Sequence, residues 1–172
     1  MAIYRSELSA IVCGVNAGVT PIVAVQSWQG QYKSGFVEDL TKKHSDTEKL
    51  NAIDKLAQDS ITRARIKRNV KRGGYFALVA KYGADEQERA NAVNELVKLC
   101  DIDCTEEGKK FLIWLWAVEG KQRRGLIGQA LDLFSGVSER TFFRRKKEMF
   151  DWLNELEGLA ISEVKEVLGD VL

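Results

Sequence analysis

Apolar residues recur at helical spacing along most of the chain. After Ser45, with Glu48 three positions on as a capping box, Leu50, Ile53, Leu56 or Ala57, and Ile61 fall on one face. This is the rhythm of an amphipathic helix, and it predicts a long helix over 45–72 that stops at Gly73-Gly74, because glycine commonly closes helices. A segment Tyr75–Tyr82 ended by Gly83 follows. Asp85-Glu-Gln-Glu88 places acids where a helix begins, and Val93, Leu96, Val97 and Cys100 then face inward. Thr105-Glu-Glu opens another helix, which carries Phe111, Leu112, Leu115, Trp116 and Val118 and is expected to end at Gly120. The run Phe111–Val118 is apolar on every side and far too short to span a bilayer. It reads as the buried central helix, with a strand as the alternative, since periodicity does not arbitrate a short apolar run. The expected fold is all-α.

The last part of the chain carries the most specific pattern. Gly136 stands where the backbone must leave one helix and turn, Val137 is placed to plug the angle, and Ser138 is a good N-cap. From there Phe142, Met149, Trp152 or Leu153, and Leu156 recur inward, while Arg140, Arg144 and Lys147 share the opposite face. Gly136-Val137-Ser138, Arg140-Thr141-Phe142 and Arg144-Arg145 resemble the turn and recognition-helix start of many bacterial and phage DNA-binding regulators, and imply a C-terminal helix-turn-helix over 124–157. Asp132, with Ala130 two residues earlier, stands where such motifs usually carry a small residue. A longer turn accommodates it; otherwise the pattern is an amphipathic helix with a solvated basic face. A second copy of the same logic lies near the N-terminus. There Gly18-Val19-Thr20-Pro21 reads as turn, plug, N-cap and N1 proline, Gly14 is the small residue four before the turn, and Val25 and Trp28 pack back. Its outward residues Ile22, Val23, Gln26 and Gln29 include no cation, so this segment is either a nucleic-acid module with borrowed charge or a helical hairpin in a core or dimer contact. The expected organisation is an N-terminal hairpin over 1–35 and a helical domain over 44–172, with Gln29–Lys43 as hinge.

Charge sharpens this picture. Arg63, Arg65, Lys67, Arg68, Lys71 and Arg72 crowd one segment with no acid among them, a density that repels itself unless counter-charge arrives. Their spacing scatters them around more than half of the helix, as suits a rod that follows phosphates. A solvated helix end with a basic last turn is the alternative. The net charge of +1 conceals segregation: Lys121–Lys147 holds eight basic residues against Asp132 and Glu139, whereas Asp151–Asp170 is acidic apart from Lys165. Local basic faces are therefore expected rather than binding by total charge. The acidic stretch offers a restraint on the basic helix in the absence of target, which unchanged affinity after deletion of residues 158–172 would remove.

Other chemistries find less support. With 172 residues, 45% of them hydrophobic, and one proline, the chain buries one good core and has room for a second small one. Three cysteines cannot all pair within one chain, which points to a reducing cytoplasm. The apolar stretch Leu8–Val25 is interrupted by Asn16, Thr20 and Pro21, against export. Cys100 and Cys104 lack a second pair of ligands and His44 is the sole histidine, so neither a metal site nor a histidine-based triad is expected. Gly14–Thr20 is glycine-rich but lacks the lysine of a phosphate-binding loop. Asp85/Glu86 and Asp101/Asp103 sit at helix starts, though a nuclease site assembled from distant carboxylates stays open. The expectation is no enzyme, no cofactor and no membrane.

Leu115-Trp-Ala-Val-Glu-Gly120, the Gly136–Thr141 turn and Arg144-Arg-Lys-Lys147 together resemble phage-encoded transcription regulators, including late-gene antitermination and activator proteins. The resemblance implies that Arg140, Arg144 and Lys147 read duplex DNA. It also implies that Arg123, Arg124, Arg145 and Lys146 hold phosphate, and that other faces meet RNA polymerase. Arg63, Lys67, Arg68, Lys71 and Arg72 join them as candidate nucleic-acid contacts, and a homodimer is compatible. Two alternatives remain: a nucleic-acid-binding protein of phage or plasmid replication, packaging or segregation, and a protein-interaction adaptor or inhibitor that binds no nucleic acid.

Overall fold

The structure, a computed structural model, describes Tyr4 and residues 6–17, 52–118 and 138–169. The Ser45–Glu48 box, the Gln29–Lys43 hinge, both turn glycines Gly18 and Gly136, and Arg123 and Arg124 lie outside the described residues. Those described form an all-α architecture: α1 (Glu7–Val15), α2 (Ala52–Asn69), α3 (Arg72–Tyr82), α4 (Glu86–Leu99), α5 (Glu106–Ala117) and α6 (Glu139–Leu168).

Local sequence sets most of the helix starts. Ser6 caps α1 by accepting from the backbone N–H of Ser9 at 3.2 Å. Asp85 accepts from the N–H of Glu88 at 2.7 Å to open α4, and Thr105 from that of Gly108 at 3.2 Å to open α5. Each takes up one of the donors that a helix leaves unpaired in its first turn. The inward positions of α4, Val93, Leu96, Val97 and Cys100, are buried as the spacing predicts. The run Phe111–Val118 is helical through Ala117, with Val118 as its C-cap, so the strand alternative is set aside and the helix ends short of Gly120.

Three expectations are corrected. The long basic helix does not run to Gly73-Gly74. It stops at Asn69, Val70 is buried, and Lys71 is extended at φ −55° and ψ 143° before α3 begins at Arg72. Lys71 donates its backbone N–H to the Glu163 carboxylate at 2.9 Å, a bond that only the tertiary fold supplies. The glycines therefore lie in the first turn of α3, where a Cβ on Gly74 would sit 2.8 Å from the Cβ of Ala160 in α6. Their role is close approach, not termination.

The central helix is also α3 rather than α5. It packs against every other described helix, and Gly74, Ala77, Leu78, Val79 and Ala80 are buried. Small side chains let neighbours approach from several sides at once. Helix α5 covers one flank and packs on α4 and α6, with Leu112, Ile113, Leu115 and Trp116 buried and Phe111 and Trp114 half-buried. Helix α1 belongs to the same core, Ile11 and Val15 sharing it with Ile66 and Val70 of the α2 end. A Cβ on Gly14 would approach Thr62, Ile66 and Arg63 of α2 at 3.0–3.3 Å, so Gly14 is the close-contact point between α1 and α2.

Helix α6 is continuous over 30 residues, about 45 Å. Phe142, Met149, Leu153, Glu157, Ala160, Val164 and Leu168 line its buried side. This continuity corrects the acidic-restraint expectation. The acidic half extends the same rod away from the basic half and is tied down elsewhere, through Glu163 to Lys71 at 3.7 Å and through Lys165 to Glu7 at 3.3 Å. It cannot fold back over Arg140–Lys147.

Candidate nucleic-acid interface

Helix α6 begins at Ser138, whose Oγ accepts from the N–H of Thr141 at 3.3 Å and lies 2.8 Å from the Thr141 hydroxyl. The cap fixes where the first turn starts, and the buried Phe142 and Met149 fix its rotation on the core. With both settled, Arg140, Arg144 and Lys147 are exposed on the outer side. Arg140 and Lys147 make no ion pair among the described residues. Arg144 approaches Glu148 only at 3.9 Å, both side chains being largely in water, a contact of little energetic weight. Arg140 stands in the first turn against the helix dipole, whose positive end is here, with only Glu139 in that turn to offset it. The arrangement is unfavourable in isolation and creates a positive field suited to an anion.

The neighbouring cations are placed differently. Arg145 turns toward the α4–α5 connection and bonds Asp103 at 3.2 Å. Lys146 lays its ammonium over the rings of Phe143 and Phe150 at 5.7 and 5.4 Å. Phe143 itself is 43% exposed, on the same side as the cations, and its ring meets the buried Phe142 edge-on at 5.4 Å. The sequence pattern passes over this residue, because an aromatic beside another inward aromatic reads as core. Its signal is the cations at i−3, i+1 and i+4.

Part of the basic run across α2 and α3 finds counter-charge on other helices of the same chain. Arg63 donates to the carbonyl of Ala17 at 2.8 Å and pairs with Glu88 at 2.5 Å, which holds its guanidinium above the ordinary range. Arg72 pairs with Glu95 and lies over the Phe76 ring at 5.6 Å. Lys71 is held by Glu163, whereas Lys67 and Arg68 are exposed with no ion pair among the described residues. The fold does not unite this run with the α6 face. Lys71 docks at Glu163, about 28 Å beyond Arg144 along the rod at about 1.5 Å of rise per residue.

A third polar constellation, unmarked in the sequence, is internal. Glu157 is buried on α6 and accepts from Lys81 Nζ at 2.6 and 2.8 Å and from the Tyr82 hydroxyl at 2.5 Å. Lys81 also sits 4.8 Å over the ring of Trp116, whose Nε1 donates to Asn154 at 2.9 Å. The cluster ties α3, α5 and α6 together. Cys100 is buried against Met149, with sulfur atoms 3.8 Å apart, and burial pushes its thiol up, away from reactivity. No described helix is long and apolar enough to cross a membrane. No protein-family model, curated protein or solved structure matches this chain.

Proposed function

We propose that this protein is a sequence-specific DNA-binding transcription regulator that uses the start of α6 as its recognition surface. One observation carries the reading: Arg140, Arg144 and Lys147 stand exposed on one side of a capped helix that Phe142 and Met149 anchor from the other. A helix end of this kind fits the major groove, where arginine and lysine read guanine edges and neutralise phosphate. Lys67 and Arg68 stay exposed as a separate basic site, and Arg63 is withdrawn from binding by its ties to Ala17 and Glu88. Action as a phage-type antiterminator or activator with RNA polymerase rests on the sequence resemblance alone.

Affinity for random duplex DNA, measured over a salt series, tests the reading. The wild-type protein should weaken steeply with salt, and an Arg144→Ala/Lys147→Ala variant should show a slope lower by about one for each phosphate contact removed. Absence of binding at low salt would sink the proposal and favour the protein-interaction alternative.

A further inference from the structure

Resting on that reading of α6, we infer that Phe143 is a specificity-determining residue, whose exposed ring contacts thymine C5-methyl groups in the major groove of duplex DNA. Five large apolar side chains are well exposed among the described residues: Leu56, Ile61, Leu99, Phe143 and Leu159. Phe143 alone has cations at i−3, i+1 and i+4, namely Arg140, Arg144 and Lys147. At about 100° per residue these four occupy roughly 100° of arc, a single stripe with the ring on its core-side shoulder. A partner that covers the stripe must therefore be anionic along its length and apolar at one point. Duplex DNA offers that combination where a thymine methyl projects between phosphates and base-edge acceptors.

The ring is also held in place before any partner arrives. Its edge-on contact with Phe142 ties it to the core at 5.4 Å and 72° between planes, and Lys146 occupies the space over the ring at 5.7 Å. Lys146 covers one π-face, which leaves the ring at most one face for stacking an unpaired base. Proteins that grip single strands line several rings along a groove, and this convex helix presents one.

The test begins with a duplex that the wild-type protein selects from a randomised pool, synthesised once with thymine and once with deoxyuridine, which lacks the methyl. The selected sequence should contain thymine, and each contacted methyl should be worth about fourfold in affinity, the effect of burying one such group. Phe143→Ala should lose that difference, binding both duplexes alike with an unchanged salt slope, and Phe143→Leu should keep part of it. Equal wild-type affinity for the two duplexes would overturn the inference. So would a thymine preference that survives Phe143→Ala, tighter binding of single-stranded DNA lost with Phe143→Ala, or a dimer that Phe143→Ala dissociates. Any of these with the Arg144→Ala/Lys147→Ala slope still flattened leaves the interface reading standing, whereas failure of the wild type to bind any duplex removes both.

Discussion

A Cβ built on Gly74 would meet the Cβ of Ala160, an atom with no rotamer in which to retreat. Gly74→Ala should therefore push α3 off α6 and lower stability by about 1–3 kcal/mol, outweighing the gain in helix propensity. Urea unfolding gives the number, and Gly74→Ala/Ala160→Gly should recover part of it because the second change reopens the gap. A variant as stable as wild type would show that the two helices yield. At this scale the sequence is legible where the chemistry is local. Asp85, Thr105 and Ser138 announce caps, and each accepts the backbone N–H that the motif requires. Glu157 is not legible, because among the acids of Asp151–Asp170 it looks like any solvated carboxylate. Only its position on the buried side of α6, opposite Lys81 and Tyr82, separates it from Glu155 and Glu166.

Helix α6 illustrates what one element inherits from its ends. Ser138→Ala should cost about 1 kcal/mol and fray the first turn, loosening Arg140 before Arg144 or Lys147. Thermal unfolding checks the first effect, and faster amide hydrogen exchange confined to the opening turn checks the second; unchanged exchange there would mean that Phe142 holds the turn unaided. The inward stripe of α6 from Phe142 to Leu156 and that of α4 follow from helical spacing, and the structure buries Phe142, Met149 and Leu153 accordingly. The break between α2 and α3 does not follow from local sequence. Its composition favours glycine as the stop, yet the stop falls at Val70 and Lys71, where a buried valine and the Glu163 carboxylate reward an extended residue.

Across the whole molecule, ionic ties join helices that local sequence leaves unrelated: Arg63 with Glu88, Arg72 with Glu95, Lys71 with Glu163, and Lys165 with Glu7. Hydrogen bonds from Lys98 and then Arg72 hold the Glu95 carboxyl below its usual range. The stabilisation from a depressed carboxyl is present in full above the ordinary carboxylate range and is lost as pH falls through the lower folded value. Wild type should thus exceed Glu95→Gln in stability near neutral pH, and the two should converge in acid; a difference independent of pH would assign the loss to packing. The sequence by itself determined the helical class, most of the helix starts, the inward stripes of α4 and α6 and the stretches where charge accumulates, since periodicity and capping act within a few residues; the stripe read through Leu56, Ala57 and Ile61 of α2 is instead exposed, and Thr62 and Ile66 are the buried positions there. Tertiary structure decided that α3 is the hub, that Arg63 and Arg72 serve internal ion pairs, that the two basic segments lie far apart, and that Phe143 stays exposed. Each of these depends on which surfaces meet across long separations in sequence, and spacing along the chain carries no record of that.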